Sequence, residues 1–303
     1  MIKSLFSRSL PWLLLIFLGC IWGLTFSLAR ISVNAGGMPL GMTFWQCLIG
    51  GFLLLILSLI RGRPPSFSIV NVKVYFVVAL LGASIPTSLL YLAAKHVQAG
   101  VLSITVALIP MITYSFAAFL RMEKFLFLRI FGVVLGCISI GLLVLPSSSL
   151  PDAKAVPWIL LACLSAICWA MENIYLSNFA LTKMGPLRIA VGMNFLAALM
   201  MFPIAFSYNQ MFFLSFPFEA LEWTILLLSV ISAIAYTTFI KVINLAGPVF
   251  ASQTGYLVTI GGVIWGILLF NEVHSGWVWA SLITILIALF FVSPQKGAQK
   301  TYE

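Results

Sequence analysis

Apolar residues fill stretches of about 20 positions along almost the whole chain, separated by short clusters of Gly, Pro, Asn, Ser and charged residues. Runs of that length and continuity predict lipid-crossing helices, not the alternating ten-residue strands of a membrane barrel. The breaks "NAGGMP", "RGRPPS", "LPSSSLPDAKAVP", "KMGP", "AGP" and "NEVHSG" help to divide the chain into ten spans. These fall at about residues 10–31, 38–60, 73–94, 98–120, 126–145, 156–180, 186–208, 221–243, 248–270 and 276–293. No soluble domain fits between them.

Composition agrees with that pattern. The 303 residues are 62% hydrophobic and only 8% charged, against about 25% charged in water-soluble domains. A soluble fold of this length could not hide so much apolar surface, so the chain is read as an integral membrane protein. Lys3 and Arg8 ahead of "LPWLLLIFLGCIWGLTFSLA" resemble a signal peptide. No small-residue cleavage site follows cleanly and the run is long enough to span, so it is taken as the first membrane helix. Cys20, Cys47, Cys137, Cys163 and Cys168 lie inside apolar runs without metal or disulfide spacing and are read as small packing residues.

Charge supplies orientation. With the N-terminus in the cytoplasm, 13 of the 16 Lys and Arg fall inside: Lys3, Arg8, Arg61, Arg63, Lys73, Arg121, Lys124, Arg129, Lys183, Arg188, Lys241, Lys296 and Lys300. Only Arg30, Lys95 and Lys154 fall outside. Adding or losing one span would scramble this bias, so both termini are predicted cytoplasmic. The net charge of +9 then needs no nucleic-acid partner. Arg30 and Lys95 are expected to be solvated charges on the outer face, and Lys241 to snorkel at the inner one.

The halves of the chain are related. An offset of 149 places Ser103 on Ser252, Thr105 on Thr254 and Glu123 on Glu272, and an offset of 147 places Trp22 on Trp169. Five spans per half is an odd number, so the second half enters the membrane from the opposite side. Inverted repeats of this kind are a transporter device in which two halves rock around a site near the midplane. The domains expected are 1–150 and 151–303.

Of the seven acids, Glu123, Asp152, Glu219, Glu222, Glu272 and Glu303 fall at span ends, in connectors or in the tail. Glu172 alone lies deep in a span. An intramembrane carboxylate costs roughly 2.5–3.5 kcal/mol on insertion scales and usually marks a pathway. Glu172 is therefore the leading candidate for binding a cationic group or carrying a proton, against the plainer reading of a protonated Glu hydrogen-bonded to a neighbouring helix. Ser103, Ala107, Pro110 and Tyr114 share one helical face, and the repeat-related face carries Ser252, Tyr256, Thr259 and Val263, with Gln253 beside it. Ser and Thr at such positions are also common helix glue. Trp22, Trp169, Tyr91, Tyr236 and Tyr256 could wall a cavity for an amphiphilic solute, or simply pack; Thr25 joins this set. Trp12, Trp158, Trp223, Trp277 and Trp279 look like interfacial belt residues. Gly132–Gly136 and Gly262–Gly266 have the small-xxx-small spacing of close helix approach.

The first span "GCIWGLTFSLARI", the fourth-span stretch "ALIPMITYSFAAFLRMEK" and the second-half ending "ILLFNEVHSGWVWASLITI" resemble EamA-type members of the drug/metabolite transporter superfamily. The resemblance covers essentially the whole chain. It implies an all-helical fold of ten transmembrane helices in two inverted five-helix repeats around a central cavity. It also implies carriage of small organic metabolites, often outward, with amino acids and related compounds prominent. Gln46 stands where the family often has Arg, and Thr259 where it often keeps Pro.

The expected function is secondary transport of a small organic metabolite, an amino acid or related amphiphile moved outward by alternating access. An embedded enzyme, a channel or a scaffold are the alternatives. His96 and His274 both fall in outer connectors and no paired intramembrane carboxylates occur, which counts against catalysis. No phosphate-binding loop is present, so the driving force is a gradient; proton coupling through Glu172 and a downhill facilitator are equally compatible with the sequence. No cofactor or metal is expected. The partners expected are the solute and the lipid bilayer, in a monomer or weak homodimer of the inner membrane.

Overall fold

The computed structural model describes residues 2–66, 68–179, 184–246 and 248–292. Lys183, Lys296, Lys300 and Glu303 lie outside the described residues, as do the side chains of Lys3 and Arg8. The apolar runs form α1 (Ile2–Asn34), α2 (Pro39–Ile60), α3 (Ile69–Ala94), α4 (Ala99–Phe119) and α5 (Phe127–Val144). They continue as α6 (Val156–Phe179), α7 (Pro186–Ser207), α8 (Ala220–Ala246), α9 (Thr254–Phe270) and α10 (Gly276–Val292). Among the described residues, α1–α8 each contain a stretch long and apolar enough to cross a bilayer, while α9 and α10 are shorter apolar helices of 17 residues. Seventeen residues rise about 25 Å, a little less than a hydrocarbon core of about 30 Å. The helical turn Pro248–Ala251 lengthens α9 at its start.

Packing follows the repeat. α1 lies against α8 and α9, and its counterpart α6 lies against α3 and α4. α2 packs on α8 as α3 packs on α7, and α2·α7, α4·α9 and α5·α10 pair across the repeats. Exchanging the halves therefore maps these packed pairs onto one another. Ser139 and Ser281 exchange hydrogen bonds between α5 and α10, each hydroxyl donating to the other's carbonyl at 2.9 and 2.8 Å. Large apolar side chains such as Phe52, Ile56, Phe131, Ile138, Ile283 and Phe290 point outward, as expected where lipid is the solvent. Cys20 and Cys137 join that exposed surface, whereas Cys47 and Cys168 are buried. Trp12, Trp223, Trp277 and Trp279 are exposed. Trp158 differs from the belt expectation: it is half-buried and stacks on His96, ring centroids 4.0 Å apart.

Glycine sets the closest helix approaches. A side chain at Gly23 of α1 would meet the Gly261 and Gly262 backbone of α9 at 2.7 Å. One at Gly262 would run into Ser103 of α4, and one at Gly266 into the Glu272 carboxylate and the Gly100 nitrogen. One at Gly132 would meet the Ala288 carbonyl at 2.9 Å. The Gly262–Gly266 pair thus brings α9 to α4, whereas the second pair divides: Gly132 faces α10, and Gly136 faces Met111 and Leu108 of α4.

Proline interrupts two helices. Pro86 has no N–H to offer the carbonyl one turn back, at Gly82, and its ring crowds that carbonyl. α3 accommodates this with a π-helical segment, Ala79–Ser84, just ahead of Pro86. In α4, Pro110 acts the same way on Val106: the helix divides into Ala99–Val106 and Ile109–Phe119. α9 has Thr259 at the matching position, and its interruption lies earlier, at Ser252–Gln253.

Candidate functional site

The Gly82 carbonyl freed by Pro86 accepts the indole N–H of Trp169 at 2.9 Å. One turn along α6 from Trp169, the Glu172 carboxylate lies against the Cα of the same Gly82, where any larger residue would collide with it. Among the described residues the carboxylate has no hydrogen-bond or ion-pair partner. Tyr236 of α8 spends its hydroxyl on the Pro186 carbonyl, to which it donates at 2.6 Å. π-Turns of this kind are frequent at functional sites. The depth differs from expectation. Glu172 lies only five residues from the end of the span Val156–Ser177, about 7.5 Å of helix rise. It sits nearer the Ser177 end of α6 than the midplane.

The other predicted residues separate into small groups. Trp22 is half-buried and leans on Phe239, centroids 5.8 Å apart, and the Thr25 hydroxyl is used on the Trp22 carbonyl at 2.5 Å. Buried Tyr91 hydrogen-bonds the side-chain oxygen of Gln46, whose amide reaches Ser232 at 3.1 Å. This Gln46–Ser232 link was not among the predicted site residues. A lone glutamine inside an apolar span was the signal for it. Ser103 donates to the carbonyls of Gly100 (2.7 Å) and Thr259 (3.0 Å), joining α4 to α9. Tyr114 is taken up at the helix end: its hydroxyl donates to the Lys124 carbonyl and accepts the Leu126 N–H, each at 3.0 Å. Pro110 marks the α4 interruption. Ser252 and Gln253 form the α9 interruption, and Tyr256 follows within its first turn, packed against the main core.

Among the described residues the most heavily engaged acid is Glu272. The residue before it, Asn271, ends α9 in the left-handed conformation (φ 51°, ψ 39°) and turns Glu272 back to the bundle. Its carboxylate accepts the backbone N–H groups of Ala99 (2.8 Å) and Gly100 (3.1 Å), two donors at the buried N-terminus of α4 that the helix itself leaves unpaired. Arg30 of α1 completes the site with a direct ion pair, its guanidinium 4.7 Å over the Phe270 ring. Arg30 is therefore not the solvated outer charge expected from sequence: opposite charge and a helix terminus hold it. The clue was that Arg30 and Glu272 are both predicted at the same face. His274 is buried with Nδ1 3.2 Å from Gln98 Oε1 and Nε2 3.6 Å from the Glu272 carboxylate. Burial holds its pKa below the ordinary value, with Glu272 pulling the other way.

Two hollows open at opposite ends. One, of about 260 Å³, is lined by Arg61, Thr237, Thr238, Ile240 and Lys241. The other, of about 500 Å³, is lined by Ser148, Ser275, Gly276, Trp277 and Ala280. Neither is walled by the predicted site residues, but the first begins one residue after Tyr236 along α8. Lys241, expected to snorkel, lines it beside Arg61.

Residues 10–145 and 156–293 each match the model of the EamA-like transporter family. The chain belongs to the EamA-like transporter family. The doubled match is the repeat seen in the packing. A relative from Bacillus subtilis (strain 168), the uncharacterized transporter YvbV, is 24% identical over 299 residues, covering 95% of this chain and 93% of the relative. A solved crystal structure covers 94% of this chain and 98% of its own, at 18% identity and a TM-score of 0.64; at that identity the likeness is one of fold. As in other EamA-like proteins, the chain is a multi-pass membrane transporter.

Proposed function

We propose that the chain carries a small organic solute bearing a cationic amine, an amino acid or related amphiphile, outward across the inner membrane by alternating access. The observation that carries this reading is the Glu172 carboxylate, left without a partner among the described residues and set against the π-turn of α3. An unpaired intramembrane acid in a transporter supplies a counter-charge for a cation or a seat for a proton. Trp169 holds the turn in place through the Gly82 carbonyl. Half-buried Trp22 and Phe239 add aromatic surface on α1 and α8, suited to an apolar solute body. The solute enters by the hollow at Arg61 and Lys241, whose positive charge suits the carboxylate of an amino acid.

In this reading the chain is a carrier, not an enzyme, with both termini cytoplasmic and units of 1–150 and 151–303 moving against each other. It works as a monomer or weak homodimer, and its energy comes from a solute or proton gradient. The test is counterflow of radiolabelled amino acids in proteoliposomes. Wild type accumulates label saturably, and Glu172→Gln abolishes accumulation while remaining monodisperse. Unchanged counterflow by Glu172→Gln would remove that residue from the mechanism. A proton gradient that fails to change accumulation would remove proton coupling.

A further inference from the structure

The Glu272 cluster joins segments that alternating access must separate. The acid belongs to the connector after α9 in the second repeat; Arg30, Ala99 and Gly100 belong to α1 and α4 in the first. Its side chain is 2% exposed. Gly266 leaves the space it fills, since a side chain there would strike the carboxylate, and Gly100 leaves the space for His274, whose Nε2 a side chain there would meet at 2.9 Å.

The repeat-related acid, Glu123, has none of these fittings. At the offset of 149, Ala99 becomes Pro248, which has no N–H to give, and Gly100 becomes Val249. Gly266 corresponds to Ala117, which puts a methyl group where the carboxylate would need room, and His274 corresponds to Phe125. At the offset of 147 that relates α1 to α6, Arg30 becomes Ser177. Glu123 instead pairs with Arg129 inside its own repeat at 3.2 Å and is 48% exposed.

We infer that Glu272 is a gate residue: with Arg30 and the N-terminus of α4 it latches that end of the bundle shut, and the opposite end has no equivalent latch. The inference rests on the alternating-access reading. The resting carrier is closed at the Glu272 end, and each cycle releases this one cluster before the solute can leave there.

Val97, buried beside the latched N-terminus, reports the gate. In Val97→Cys, held in lipid nanodiscs, maleimide labelling at position 97 is followed by mass spectrometry so that the native cysteines do not interfere. Adding Glu272→Gln raises the labelling rate about tenfold or more, the scale of one charge-assisted hydrogen bond. Arg30→Gln raises it by less, and Glu123→Gln leaves it within about twofold, the scale of an exposed ion pair. Should Glu272→Gln not fold to a monodisperse species, Arg30→Gln decides alone. Rates unchanged in every folded gate variant overturn the latch. Amino-acid counterflow in the same variants separates the two readings. Transport by wild type with no labelling response removes the latch alone, whereas a labelling response with no transport of any amino acid removes the amino-acid solute and leaves the latch standing.

Discussion

Two acids related by the repeat end two related helices, and they behave in opposite ways. Glu272 is drawn into the bundle between α1, α4 and α9; Glu123 stays half in solvent beside Arg129 of the helix that follows. Part of the difference is where each helix stops. α9 turns left-handed at Asn271, directly before its Glu, while the chain after α4 turns left-handed at Arg121, two residues before its Glu. One residue of register redirects the carboxylate. The rest is what it finds: free N–H groups, a glycine-lined space and an arginine at one end, and proline, alanine and serine at the matching positions of the other. A duplicated fold thus supplies two equivalent ends, and a handful of side chains makes them unequal.

The largest test of that contrast alters the space itself. Gly266→Ala pushes a methyl group into the Glu272 carboxylate and should cost about 3 kcal/mol, measured by unfolding in mixed detergent micelles. The reverse change at the matching site, Ala117→Gly, should cost only about 1 kcal/mol, the helix penalty of glycine. Next come the acids. Glu272→Gln should lose about 2–3 kcal/mol, because charge-assisted hydrogen bonds are weakened in a buried site and Arg30 loses its partner. Glu123→Gln should lose less than about 1 kcal/mol and respond to salt, as a half-exposed ion pair does. Equal losses at the two ends would erase the asymmetry. The smallest effects lie in the turns. Asn271→Ala should cost about 1 kcal/mol because alanine resists the left-handed region, and Arg121→Gly should gain up to about 1 kcal/mol by relieving it.

The helices were legible because lipid demands continuous apolar runs, and the repeat because Ser103, Glu123 and Trp22 have counterparts at near-constant offsets. Glu172 stood out for the same reason: an acid has few places to hide in such a chain. Its setting was not legible. Pro86 lies in the third span of the sequence, but that it would free Gly82 for Trp169 of the sixth depends on how α3 and α6 meet. Arg30 and Glu272 were each placed at the outer face, yet their pairing needs α9 to end at Asn271 and α4 to begin at Ala99. Tyr114 illustrates the opposite error of pattern: it shares a face with Ser103 and Pro110, but its hydroxyl is spent on the connector at Lys124 and Leu126. Helical periodicity fixes a face, not the partner a long side chain reaches.

The unequal ends can be measured together. Spin labels at Lys95 and Val273, both exposed beside the Glu272 cluster, report one end; labels at Phe125 and Leu245, also exposed, report the other. In lipid without solute, double electron–electron resonance should give one narrow distance for Lys95–Val273 and a broad or divided distribution for Phe125–Leu245, with Glu272→Gln broadening the first. A broad Lys95–Val273 distribution in the unmutated background, or two ends equally narrow and indifferent to Glu272→Gln, would contradict the account.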